Sequence, residues 1–112
     1  MRRIGKPIDI GDTRKRDIEN MRKVTQQIEK AWKQGKSKTV GNTRTDGTSV
    51  WLHGNKIIER DPDGRVWATL AYWPTPTTRE RLKIVSTGFY QKNHEQFFND
   101  RPIEDNEWVE IA

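Results

Sequence analysis

The stretch TSVWLHGNKIIERDPDGRVWATLAY, residues 48–72, decides the fold class. Thr48 to His53 alternates as a half-buried strand does. Gly54-Asn55 is a tight-turn dipeptide, and Lys56 to Arg60 is the returning strand. Asp61-Pro62-Asp63-Gly64 places Pro where a type I turn prefers it and Gly at the turn's end. Arg65 to Tyr72 is a third strand, the longest of the three. Asp46-Gly47, just upstream, is another hairpin signal. Short alternating runs separated by such turns make an antiparallel meander. Side chains alternate along a strand, so Val50, Leu52, Val66, Ala68 and Leu70 belong to one face. Trp51 and Trp67 share the other, and the helix described next is the expected cover for it. Left uncovered, that face is an aromatic platform for bases or for a protein partner.

Upstream, Ile18, Met21, Val24, Ile28, Ala31 and Trp32 recur at three- and four-residue steps, one apolar stripe of a helix over 13–34. Asp12 or Thr13 can cap its start, and Gly35 stands where a C-cap glycine belongs. Residues 35–47 are polar and read as a linker, or a linker running into a weak edge strand near Lys38–Thr45. Downstream, Trp73-Pro74-Thr75-Pro76 stops the sheet. Thr77 or Thr78 then caps a short helix over about Thr78–Ser86. Phe89–Lys92 and Gln96–Phe98 form a hairpin around Asn93-His94-Glu95, and Glu107–Ile111 is a last edge strand. The expectation is a single α+β domain: a basic arm at 1–11, a basic amphipathic helix at 12–35, and a small α+β domain at 36–112. The last part holds the antiparallel β-meander, the short second helix and the C-terminal hairpin.

At 112 residues the chain is of one-domain size. Only 31% of it is hydrophobic against 33% charged, so five tryptophans are expected to carry much of a small core. With no cysteine there are no disulfides, thiolate metal sites or cysteine nucleophiles. No apolar run is long enough for a membrane span, and the first residues lack the apolar region of a secretory signal. The expected setting is the cytoplasm, with no membrane partner. The net charge of +5 is a gradient along the chain. Residues 1–38 hold twelve Lys/Arg against five Asp/Glu, a net of +7. Residues 39–82 are near neutral at +1, and residues 83–112 carry −3.

Enzyme chemistry finds little support. No phosphate-binding glycine loop and no His-Glu-x-x-His is present, and His53 and His94 are the two histidines. Asp61-x-Asp63-Gly64 resembles the start of a calcium loop but lacks the later glutamate, and a hairpin turn accounts for it. Glu59, Asp61 and Asp63 near Lys56 form a charged hairpin end before they form a nuclease set. His53 is expected to hydrogen-bond its own turn. No catalytic residue, metal or cofactor is assigned. Two features point to anions. Thr78, Arg79 and Arg81 stand at the start of the second helix, where free amides and arginine forks suit phosphate. Arg2, Arg3, Lys6, Arg14, Lys15, Arg16, Arg22 and Lys23 can track a phosphate backbone.

The elements Val50-x-Leu52-His53-Gly54-Asn55-x-Ile57, Gly64-x-Val66 and Trp73-x-Thr75-x-Thr77-Thr78-Arg79-x-Arg81-Leu82 together resemble a family of small proteins of tailed bacteriophages. The pattern there is V-x-L-H-G-x-x-I followed by G-W-x-T-x-T-T-R-x-R-L-N. Phe89–Lys92 and Gln96–Phe98 are similar to the hairpin that ends those proteins, so the resemblance covers about residues 48–99. Tyr72 stands where the pattern has Gly, and Lys83 where it has Asn. The resemblance implies a phage origin and assigns no reaction. On it the helix at 13–34 lies outside the matched part.

Two functions follow as expectations. One is a non-enzymatic, phage-encoded nucleic-acid-binding protein, DNA or RNA, gripping phosphates through the residues just named. The other is an effector that binds and inhibits a host protein or defence complex through Trp51, Trp67 or Trp32. A structural or assembly role in the virion is a third reading, and the oligomeric state stays open.

Overall fold

A computed structural model describes residues 10–111, with side chains from residue 19 onward. In chain order the elements are α1 (Ile10–Lys33), β1 (Lys38–Val40), β2 (Thr43–Thr45), β3 (Ser49–Leu52), β4 (Asn55–Arg60) and β5 (Val66–Ala68). After these come α2 (Pro76–Leu82), β6 (Phe89–Lys92), β7 (Glu95–Phe98), β8 (Arg101–Ile103) and β9 (Val109–Ile111). One six-stranded sheet runs β1-β2-β3-β4-β5-β9, and β6-β7-β8 form a separate three-stranded sheet. Every described pairing is antiparallel. The fold class is α+β, as expected.

α1 starts at Ile10, earlier than expected, so the helix takes the end of the expected 1–11 arm. Residues 1–9 of that arm lie outside the described residues. The helix ends at the expected glycine. Gly35 has φ +70°, and the Lys36 amide reaches back to the Ala31 carbonyl at 2.8 Å, the closing pattern of a helix with a left-handed cap.

The expected linker folds as the β1–β2 hairpin, turned by Gly41-Asn42. Its polarity in sequence hides that Thr43 and Thr45 are buried. The Thr45 hydroxyl donates to the Ser49 carbonyl at 2.7 Å, and Thr43 donates to Asn42 Oδ1 at 2.8 Å. Asp46 Oδ1 accepts from the Thr48 and Ser49 amides at 2.9 and 2.8 Å, fixing the next turn. β5 stops at Ala68, short of the expected Tyr72, because Leu70–Trp73 closes a turn through the Trp73 amide and the Leu70 carbonyl at 2.9 Å. α2 is capped by Thr75, not by Thr77 or Thr78, since Pro76 takes the first helical position and Thr75 Oγ1 accepts from the Thr78 amide at 3.1 Å. It ends at Leu82, before the expected Ser86. β8 has no counterpart in the sequence reading; it is an edge strand, the place a sheet tolerates Pro102.

α1 packs on the Val50/Leu52 face, not on the tryptophan face expected for it. Ile28 and Trp32 join Val50, Leu52, Ile57, Ile58, Ala68, Leu70 and Leu82 in the core. The register shift between Val50 and Trp51 in the β3–β4 ladder lets the adjacent Ile57 and Ile58 both lie buried. The core is therefore mainly aliphatic, with Phe89, Phe98 and a single tryptophan, so the tryptophans do not carry it. Trp32 alone is buried, at 6% exposure; its indole donates to the Thr48 carbonyl at 2.9 Å and the Arg60 guanidinium lies 4.1 Å above its ring. Burial removes Trp32 from the interface residues. Trp51 and Trp67 are half-buried, while Trp73 and Trp108 are exposed.

The Asp61 turn carries a pH signature. Asp61 Oδ2 accepts the Trp67 indole N–H at 3.0 Å, and Oδ1 accepts the Asp63 and Arg65 amides at 3.0 and 2.9 Å. The Trp67 bond first, then the amide bonds, hold its carboxyl below the ordinary value of 3.8. Backbone bonds, that of Ser49 first, lower Asp46 in the same sense. A carboxylate whose folded pKa is depressed contributes stability above its unfolded pKa, and that contribution is lost as pH falls through the folded value. Thermal melts from pH 5 downward are expected to show Tm falling below about pH 3.8, with a shallower fall in Asp61→Asn. Parallel curves for the two proteins would contradict the assignment.

Candidate functional site

Three surfaces gather the residues that carry chemistry. The first is the outer side of α1. Its stripe of Thr25, Ile28, Ala31 and Trp32 is buried, with Met21 and Val24 half-buried beside it. The stripe is thus consumed within the chain, and Arg22, Lys23, Lys30 and Lys33 are exposed. Lys33 pairs with Glu29 at 2.8 Å, an exposed i,i+4 bridge of small energetic weight. Exposed Lys36 and Lys38 continue the positive surface past the helix end. Arg14, Lys15 and Arg16 lie within α1, but their side chains fall outside the described ones, as do Arg2, Arg3 and Lys6 altogether.

The second candidate anion site is largely taken up by internal bonds. Thr78 and Arg81 are 1% and 3% exposed. Arg81 donates from Nε to Thr43 Oγ1 at 2.8 Å and from Nη1 to the Met21 carbonyl and Thr25 Oγ1 at 2.9 and 3.0 Å. Its guanidinium joins α2 to β2 and α1, and burial pushes its pKa down. Arg79 is half-buried, and its Nη1 lies within hydrogen-bond distance of the Pro74 carbonyl and of Gln91 and Gln96 Oε1 at 2.9, 3.2 and 3.0 Å. It ties α2 to the second sheet. Burial takes Thr78 and Arg81 out of reach of a surface phosphate, while half-buried Arg79 still borders an open pocket beside Arg22 and Lys83.

The second surface is the outer face of the large sheet, on which no described helix packs. The Arg44 guanidinium lies 3.9 Å over the Trp51 ring, with Lys56 Nζ at 5.8 Å. Lys56 also bonds Glu59 at 2.8 Å. Trp67 stands opposite Glu59 on one side and Glu110 on the other. The face is basic at Trp51 and acidic at Trp67.

The third surface is a cavity of about 430 Å³ between the β3–β4 turn and the 70–78 segment. Leu52, Ile57 and Leu70 line it with His53, Asn55 and Trp73. His53 sits within its turn at φ +51°; its amide donates to the Asn42 carbonyl at 2.8 Å and its Nε2 lies 3.3 Å from Asn42 Nδ2. Ala71 and Tyr72 are left-handed at φ +54° and +67°. Sequence reading missed this cavity, although Tyr72 is the position where the resembling pattern has Gly, the residue that accepts such a backbone freely.

No group of three or more His, Cys, Asp or Glu residues able to hold a metal occurs among the described residues. No described helix is long and apolar enough to cross a membrane. Among known proteins, the family described as Kyanoviridae Gp96 protein matches residues 15–111. The match takes in α1 from residue 15 onward, so most of the helix lies within the matched residues, contrary to its expected place outside the resemblance. No curated protein and no solved structure matches the chain.

Proposed function

We propose that this chain, which belongs to the bacteriophage family described as Kyanoviridae Gp96 protein, is a non-enzymatic nucleic-acid-binding protein of the host cytoplasm. It grips phosphates through the outer side of α1 and the basic segment before it. The observation that carries the reading is the consumed stripe: with α1's apolar side spent on the core, its exposed surface presents Arg22, Lys23, Lys30 and Lys33. These follow a segment that contributes Arg2, Arg3, Lys6 and Arg14–Arg16 in sequence. Such contacts release counterions and read charge, not sequence. Fluorescence anisotropy with generic DNA and RNA tests it. Micromolar or tighter binding near 50 mM salt is expected, weakening about 10³-fold by 200 mM if six phosphates are contacted. Absence of binding at the lower salt overturns the reading.

A second reading is favoured by the outer sheet face. Trp51 and Trp67, half-buried, with Arg44, Lys56, Glu59 and Glu110 around them, suit a protein partner of mixed charge. Under it the chain docks on a host protein or defence complex, and Trp51→Ala abolishes that docking without changing nucleic-acid affinity.

A further inference from the structure

We propose that the cavity between the β3–β4 turn and the 70–78 segment is a site for an uncharged nucleobase, free as a nucleoside or carried by a strand. A third of this chain is charged, yet none of the ten residues lining the cavity is Asp, Glu, Lys or Arg. A charged ligand would find no counter-ion there, and an apolar one would leave the Asn55 amide and the Thr77 hydroxyl unanswered. The floor is apolar and buried, made by Leu52, Ile57 and Leu70 at 4% exposure or less. Around it stand groups of both hydrogen-bonding senses: the Asn55 amide, the His53 ring and the Thr77 hydroxyl, the Thr75 hydroxyl being engaged by Thr78. Trp73, 59% exposed, supplies a broad aromatic surface at the side. A flat apolar body with a donor-and-acceptor edge is the chemistry of a nucleobase. A phenylalanine side chain would match the floor and leave the polar groups unanswered.

The backbone adds an independent observation. Two non-glycine residues held at positive φ, His53 and Ala71, line this one cavity from its two walls, and Tyr72, also at positive φ, follows Ala71. Such conformations persist only where the surroundings enforce them. Here the enforcement is visible. The Tyr72 amide donates to the Asp105 carbonyl at 2.9 Å, Asn106 Nδ2 donates to the Tyr72 hydroxyl at 2.9 Å, and the His53 amide is held by Asn42. Both walls are thus fixed before any ligand arrives, which reduces the ordering cost of binding. The volume lies within the range of small-molecule sites. The strand-borne form of the proposal rests on the nucleic-acid reading above; the free-nucleoside form does not.

The test is nitrogen-15 NMR of the full chain, which reads each tryptophan indole separately. The probes are cytidine, thymidine and adenosine in millimolar excess, a short oligothymidylate, and N-acetyltyrosinamide. Saturable shifts of the Trp73 indole with the His53 and Thr77 amides on adding a nucleoside, unaffected by salt, support a free-base site. The same shifts with the oligothymidylate alone support a strand-borne base. In either case Trp73→Ala is expected to weaken binding about tenfold or more, the effect of losing one aromatic stacking surface. Asn55→Ala, with Trp73 in place, is expected to change the preference among the three bases. Trp73 is exposed, so an unchanged amide spectrum elsewhere verifies that the variant is folded. Shifts at these signals from none of the nucleic-acid probes, from N-acetyltyrosinamide alone, or equally in Trp73→Ala overturn the proposal. Loss of salt-sensitive anisotropy with the nucleoside shifts retained would instead overturn only the phosphate-gripping role of α1.

Discussion

Arg81→Ala is expected to lower stability by about 3 kcal/mol and Tm by about 15 °C. The guanidinium is 3% exposed and makes three hydrogen bonds to oxygens of two other elements, Thr43 on β2 and Met21 and Thr25 on α1. Bonds to charged groups contribute more than neutral ones, and truncation leaves a space that the surrounding elements fill only in part. Arg81→Met keeps most of the volume. The acceptors it abandons retain other partners, since Thr25 still donates to the Met21 carbonyl at 3.0 Å and Thr43 to Asn42. That variant is expected to lose only about 1–2 kcal/mol. Denaturant unfolding of the two variants separates the contributions of volume and charge. In Arg81→Ala, hydrogen exchange is expected to rise first in α1 between Met21 and Ile28. Wild-type stability in Arg81→Ala would contradict the role assigned to this arginine.

Gly47→Ala is expected to cost a similar amount, about 3 kcal/mol, by a different mechanism. Gly47 has φ +91°, and a Cβ there would meet the backbone of Gly35, 2.6 Å from its carbonyl oxygen and 2.9 Å from its Cα. Neither glycine has a side chain that can rotate away. The β2–β3 turn and the α1 cap lie against each other through these two residues, so any shift is shared. It would strain the Gly47 carbonyl's bond from Arg60 at 2.9 Å and the neighbouring Trp32–Thr48 bond at 2.9 Å. Gly54→Ala is the control. Gly54 has φ +82° but nothing within 4 Å of the added carbon, so only backbone strain of about 1 kcal/mol is expected. Equal costs at the two glycines would remove the Gly35 contact from the explanation.

Much of the fold was legible because it rests on local periodicity. The stripe from Met21 to Trp32, the Gly35 cap and the turns at 46–47 and 61–64 each announce themselves within a few residues, while the turn read at Gly54-Asn55 falls one residue earlier, at His53-Gly54. The face that α1 covers was not legible. Alternation defines two faces of a sheet without saying which is buried, and the tryptophans drew attention to the wrong one. The signal that breaks the tie is the adjacent pair Ile57-Ile58, which ordinary alternation cannot bury together and a register shift can. Arg81 was misread for the opposite reason. Charge next to threonines suggests a surface anion site, whereas the acceptors that bury Arg81 lie 38 to 60 residues away in sequence. Of the candidate phosphate contacts, Arg22 and Lys23 emerged as exposed. The cavity was hidden because one wall is shaped by the left-handed turn Ala71-Tyr72, residue types that give no turn signal.

The salt dependence of nucleic-acid affinity tests the central claim most directly, compared between the wild-type chain and Arg22→Ala/Lys23→Ala. Each phosphate contact contributes about 0.9 to the slope of log affinity against log salt. Both residues are exposed on α1, so the variant is expected to keep its fold while its slope becomes shallower by about 2. A folded variant whose slope and affinity match the wild-type protein would contradict the assignment of phosphate binding to the outer side of α1.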